Sequence, residues 1–172
     1  MGAVDVIEKQ RIYDEVCSRL RAELRSSRPD GALRDEAAQF VESVDPVARM
    51  ATTAAVLHHA FQHYFWTGFY VLVDGELTVG PYQGSPACLV LEKHKGVCWA
   101  GIDREQPVVV SDVHTFPGHI ACDGRANSEV VIPLKDASGA IVGVLDVDSA
   151  DFNSFDEVDV QNLERILTLM RW

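Results

Sequence analysis

The sequence predicts an α+β domain in which helices pack against a mainly antiparallel sheet. Three observations lead there. Amphipathic helical segments lie near both ends, two β-runs meet at a two-residue turn, and a second pair of β-runs is separated by a short polar link. The 172 residues fit one domain, and 47% apolar with 24% charged residues is an ordinary globular composition.

Residues 5–26 read as an amphipathic helix, because Tyr13, Val16, Cys17, Leu20 and Leu24 recur at helical spacing and form one apolar stripe. Cys17 therefore reads as a packed, inert thiol. A polar break follows at SSRPDGA, and residues 33–43 suit a second short helix. Asp45 offers an N-cap and Pro46 a first helical position for a helix running to about residue 64. FWTGFYVLV and GELTVGPYQ, joined at Asp74-Gly75, form a hairpin. After GSPACLVL and a loop at EKHKG, a short helix begins near Val97, and QPVVVSDV reads as a strand. SEVVIPL and GAIVGVLDVDS then suit an antiparallel pair across KDASG. SFDEVDVQNLERILTLM closes the region as a helix, with Ser154 and Glu157 spaced as a capping box.

Charge narrows the partners. Fifteen basic against 26 acidic residues give a net charge of −11, which argues against a nucleic acid or an anionic membrane surface. No apolar run approaches the roughly 20 residues of a membrane span, and the N-terminus lacks the pattern of a signal peptide. A soluble cytoplasmic protein is expected.

Three cysteines, Cys88, Cys98 and Cys122, fall on or beside polar and Gly-rich loops. In the cytosol such a set is more often catalytic, redox-active or metal-binding than a permanent disulfide framework. Cys98 stands near the start of a helix, where the dipole favours an anion, and His119 precedes Cys122 by three residues. Zinc on these three with His114 or His119 is the alternative, but the gaps of ten and twenty-four residues lack the close pairing of structural zinc ligands. An acidic group accompanies them. Asp146 and Asp148 are two apart on one strand and so share a face, and Glu129 opens the neighbouring run. Gathered on an apolar face, these carboxylates call for a cationic ligand, and their repulsion would raise one pKa. A strand end running into solvent would explain the same residues.

Two further patterns weigh less. Asp146, Asp148 and Glu157 fit positions 1, 3 and 12 of a calcium loop, but Ala150 and Asp151 occupy positions that need a ligand and a glycine. His59 and His63 have the spacing of a helical metal pair, without the glutamate of a zinc-hydrolase motif. Trp66 and Tyr70 flank Gly68 on one strand face, which suits core packing or an apolar wall for a thioether.

With these residues in view, the chain resembles the free methionine-(R)-sulfoxide reductases, a family built on the GAF domain. The likeness rests on WTGFY, GSPAC, KGVCWAG, DVHTFPGHIACDGRANSEVVIPL and GVLDVDS. It implies a GAF-like catalytic domain over residues 33–172, preceded by a helical extension over 1–32. It also implies thiol-dependent reduction of free methionine (R)-sulfoxide, with no cofactor and no metal. Cys122 matches the catalytic thiol, Cys88 the resolving cysteine, and Cys98 a third that can also form the disulfide. Glu129, Asp146 and Asp148 match pocket carboxylates, and Trp66 and Tyr70 its aromatic wall. A thioredoxin-like reductant and a homodimer come with the resemblance. Trp99 stands where the family usually has glycine. The competing expectation is a non-catalytic GAF sensor that binds a small ligand or switches through its cysteines.

Overall fold

Six strands make one antiparallel sheet in the computed structural model, which describes residues 6–26, 44–119 and 122–170. They are β1 (Tyr64–Val73), β2 (Glu76–Gln83), β3 (Val90–Leu91), β4 (Val108–Val110), β5 (Ser128–Lys135) and β6 (Ile141–Ser149). Their spatial order is β3-β2-β1-β6-β5-β4, and each neighbouring pair is antiparallel. The helices are α1 (Val6–Ser26), α2 (Pro46–Ala60), α3 (Gly96–Arg104) and α4 (Glu157–Met170). Among the described residues, no helix is long and apolar enough to cross a membrane.

Alternation along the central strands gives the sheet two faces and two cores. Val130, Ile132, Leu134, Leu145 and Val147 point one way, into a core completed by α1, α2 and α4. Val131 and Val144 point the other way, towards Trp66, Tyr70 and the Val97–Trp99 segment of α3. The predicted apolar stripe of α1 is buried throughout, Cys17 included. The second face, only partly covered by the short α3, is left for the loops between strands.

Most element boundaries follow the expected ones. Asp74 and Gly75 both take positive φ, 51° and 77°, as a type I′ hairpin turn requires. Four details differ. Helix α2 stops at Ala60 because Phe61 turns extended and stacks on Tyr64, with ring centroids 4.6 Å apart. β4 is shorter than QPVVVSDV, since the Asp112 carboxylate accepts from the His114 amide and starts a 3-10 turn at Val113–Thr115. β3 is an extra two-residue strand too short to leave an alternation signal. The cap of α4 is also displaced. The Asp156 carboxylate accepts from the Val158 amide at 2.8 Å, and the Asp159 carboxylate accepts from the Asp156 amide at 2.8 Å. The reciprocal box is therefore Asp156–Asp159, while the Ser154 hydroxyl donates to Ser149 Oγ and the Asp151 carbonyl. The helix expected over 33–43, and the boundary between residues 32 and 33, lie outside the described residues.

A buried polar cluster ties α1 to α4. Lys9 Nζ donates to Asp159 at 2.6 Å and to Asp156 at 2.8 Å, and the Tyr13 hydroxyl donates to Asp159 at 2.8 Å. Lys9 and Asp159 are almost fully buried, so removing the cation would strand a carboxylate in the core. Lys9→Met should lower unfolding free energy by about 3–5 kcal/mol in urea denaturation, with little change in slope. The exposed pair Arg19–Glu23 provides the contrast. Arg19→Gln should cost no more than about 1 kcal/mol.

Candidate active site

The sheet register assembles the acidic group. Glu129 on β5 lies opposite Asp148 on β6, which in turn lies opposite Trp66 on β1. One row along, Val131, Asp146 and Gly68 stand abreast. Directly opposed residues share a face, so Glu129, Asp146, Asp148 and Trp66 all look towards the loop side. They do not run into solvent. Glu129 and Asp146 are each only 6% exposed.

Aromatic rings make the adjoining wall. Trp66 stacks on Tyr70 with centroids 5.9 Å apart and on Tyr82 at 5.3 Å. Gly68 makes this possible, because a Cβ there would lie 2.3 Å from Tyr82 Cβ and 2.7 Å from the Trp66 ring. The same rings hold the loop after β2. Trp66 Nε1 donates to the Ser85 carbonyl at 3.2 Å, and the Tyr70 hydroxyl donates to the Cys88 carbonyl at 3.2 Å.

The cysteines close the pocket. Cys88 and Cys122 are joined in a disulfide, with Cα atoms 5.5 Å apart, and Cys122 is solvent-exposed. A second clasp lies beside it. The Ser85 hydroxyl donates to Asp123 at 2.6 Å, and Arg125 holds the same carboxylate through its backbone amide and guanidinium. Cys98 is not part of this bridge. It sits in the first turn of α3, buried, with its Sγ 4.0 Å from Glu129 Oε1. The pocket so bounded has an empty volume of about 560 Å³, open mouth included, and is also lined by Lys95, Gly96 and His119.

Electrostatics in this pocket are unusual. Burial, reinforced by Asp146 and Asp148, drives the Glu129 carboxyl well above the ordinary range. Burial likewise raises Asp148, with the charges of Asp146 and Asp123 adding to it. Asp146 is pushed up to about 7, again mainly by burial. Its Oδ1 is buried without a hydrogen-bond partner. The result is a group of carboxyls that hold their protons above the ordinary carboxylate range. Burial, with Asp146 and Glu129 beside it, also drives the Cys98 thiol well up, overriding the expected help from the helix N-terminus. Asp123 behaves oppositely, held low by Arg125 and Ser85.

Trp66, Tyr70, Cys88, Cys98, Cys122, Glu129, Asp146 and Asp148 thus all meet around one pocket. Other candidates do not join it. His63 lies beyond the end of α2, wedged between Phe61, Tyr64 and Phe155, so it forms no helical pair with His59. His114 is bonded to Asn127 and is absent from the pocket lining. Glu157 starts α4, pairs with Gln161 and is absent from the pocket lining. Sequence reasoning missed Ser85, Tyr82 and the Asp123–Arg125 clasp. The serine and the Asp-Gly-Arg run carry ordinary turn chemistry and gave no separate signal.

Fold and pocket together define a small α+β domain with a disulfide-linked cysteine pair at the mouth of a pocket. A family model described as GAF domain matches residues 41–171. GAF domain-containing protein A of Dictyostelium discoideum is 45% identical over 72% of this chain and 78% of its own length. Free methionine-R-sulfoxide reductase of Escherichia coli is 40% identical over 78% of this chain and 81% of its own. An X-ray structure of free methionine-R-sulfoxide reductase from Neisseria meningitidis in complex with its substrate superposes with a TM-score of 0.79. It is 32% identical and covers 99% of this chain and 90% of that one. The chain belongs to the GAF domain family, and within it to the group of free methionine-R-sulfoxide reductases.

The raised carboxyls make a stability prediction. A carboxyl with a raised native pKa keeps its proton where the unfolded chain has lost it, so native protein binds more protons and stability falls as pH rises. For Asp146 that contribution is present below about pH 4 and is lost as pH climbs through about 7. Asp146→Asn should therefore raise the denaturant midpoint relative to wild type by more at pH 8 than at pH 5. Comparing variant with wild type at each pH cancels the histidines. A difference independent of pH would show that Asp146 is not a buried titrating acid.

Proposed function

We propose that this protein reduces free methionine (R)-sulfoxide to methionine, with Cys122 as nucleophile and Cys88 as resolving thiol. The observation that carries the reading is the Cys88–Cys122 disulfide at the mouth of a pocket lined by the buried Glu129 and Asp146 carboxyls and the half-buried Asp148. The names of its relatives supply the substrate class. In the reduced protein the Cys122 thiolate attacks the sulfoxide sulfur, while a carboxyl of the Glu129, Asp146 and Asp148 group gives its proton to the oxygen. Methionine departs, and the oxygen remains on Cys122 as a sulfenic acid. The Cys88 thiol attacks that sulfur, water leaves, and the disulfide forms. One sulfoxide and two thiols yield methionine, one disulfide and one water. Two electrons from an external dithiol of the thioredoxin type restore both thiols.

Each wall has a task. The stacked Trp66 and Tyr70 rings offer the thioether an apolar, sulfur-compatible surface. Carboxyls not engaged in proton transfer face the α-ammonium, and the unpartnered Asp146 Oδ1 is a ready acceptor for it. Amides at the start of α3 line the same pocket, a favourable end of a helix for the α-carboxylate. We place the enzyme in the cytoplasm as a homodimer, with residues 1–32 as a helical extension of the catalytic domain.

Steady-state turnover with free methionine sulfoxide and a thioredoxin-type reductant checks the reaction directly. Dithiol consumption should require the sulfoxide, and Cys122→Ser should abolish it without loss of fold. Consumption that is absent in wild type, with methionine sulfoxide merely bound, would favour the sensor reading. In rapid-quench experiments Cys88→Ser should release about one methionine per site and then stall. Full sustained turnover in that variant would move resolution to Cys98.

A further inference from the structure

Cys98 is the one pocket cysteine outside the disulfide, and the proposed reaction runs without it. Its neighbours are not those of a merely packed thiol. One ligand atom each from Cys98, Glu129 and Asp146 lies within 4.8 Å of the other two. The thiol and the Glu129 oxygen are already 4.0 Å apart. Tetrahedral zinc, with metal–sulfur and metal–oxygen bonds of about 2.3 and 2.1 Å, needs a sulfur–oxygen separation of about 3.6 Å. Small side-chain adjustments reach that. Asp146 supplies a second indication: it is 94% buried by its 6% exposure, it lines the pocket, and its Oδ1 has no partner. A buried carboxylate oxygen left unpaired costs stability unless a cation or donor arrives.

We propose that Cys98, Glu129 and Asp146 form a site for a single soft divalent cation, Zn²⁺, whose occupation excludes the amino acid from the pocket. A thiolate with two carboxylates selects a thiophilic ion over magnesium or calcium, which take all-oxygen shells. Three protein ligands leave a fourth position for water. Cys98, Glu129 and Asp146 all line the open pocket, which gives an ion a way in. The site lies on the floor assigned above to the substrate's ammonium, so metal and amino acid compete. That exclusion rests on the functional reading, whereas metal binding does not. Zinc would therefore act as an inhibitor that does not touch the Cys88–Cys122 pair.

The test uses oxidised protein, in which Cys88 and Cys122 are tied to each other and cannot ligate. Co²⁺ and Cd²⁺ are titrated into wild type, Cys98→Ser, Asp146→Asn and Cys17→Ser, following thiolate-to-metal charge-transfer absorption. Wild type and Cys17→Ser should each show the band with one equivalent bound. Cys98→Ser should show no band, and Asp146→Asn should bind more than about tenfold more weakly. Free methionine should raise the apparent Kd in wild type. Absence of the band in oxidised wild type, or its survival in Cys98→Ser, overturns the metal site. Unchanged Kd with methionine overturns the exclusion. Reductase activity of metal-free reduced protein is measured separately, so a failed catalytic reading and a failed metal site give different results.

Discussion

Gathering three carboxyl groups on a buried face of a sheet is the constraint on which the rest of this structure depends. Water is largely excluded, so each negative charge loses hydration and repels its neighbours. Glu129, Asp148 and Asp146 respond by holding protons well above the ordinary carboxylate range. That arrangement is unfavourable for folding and useful for chemistry. It leaves protonated acids beside the Cys98 thiol and leaves Asp146 Oδ1 without a hydrogen-bond partner. Antiparallel register is what places the groups, since Glu129 faces Asp148 directly and Asp146 stands one row along on the same face.

The opposite face supplies the stability that this strain uses up. Its core takes residues from α1, α2, α4 and the central strands, many of them fully buried. Each large side chain buried there contributes about 1.5–3 kcal/mol before entropy is counted. A buried polar cluster on that side, Lys9, Tyr13, Tyr64 and Asp159, is internally paired. The two faces therefore divide the work. One is apolar with paired charges, and the other keeps unpaired acids under a cover of loops. Among the contacts that hold those loops are two aromatic hydrogen bonds, the Ser85–Asp123 clasp and the disulfide.

Much of this was legible in the residues. Strong periodicities located α1, the β1–β2 hairpin and the β5–β6 pair, because each buries one whole face. The proximity of Glu129, Asp146 and Asp148 followed from a period of two and a guessed pairing. Trp66 and Tyr70 followed from the same period across Gly68. Turn-level features did not come through. Ser154 and Glu157 have the spacing of a capping box, yet Asp156 and Asp159 form it, because Asp159 is also fixed by Lys9 and Tyr13 from α1. Such a choice is made by tertiary contacts that lie nearly 150 residues away in sequence. The state of Cys98 was hidden for a similar reason. Its helix position argued for a stabilised thiolate, but burial against two acids decides otherwise.

In the proposed reaction the acidic group recognises a free amino acid by its ammonium group. The decisive measurement compares kcat/KM for methionine (R)-sulfoxide and its N-acetyl derivative, on wild type and on Asp148→Asn. Acetylation removes the cation and strands desolvated carboxyls, a loss on the order of 2–5 kcal/mol. Wild type should strongly prefer the free amino acid, and Asp148→Asn should show a smaller preference. Equal kcat/KM for both substrates on wild type would contradict it, and would leave the three carboxyls a role in proton transfer alone.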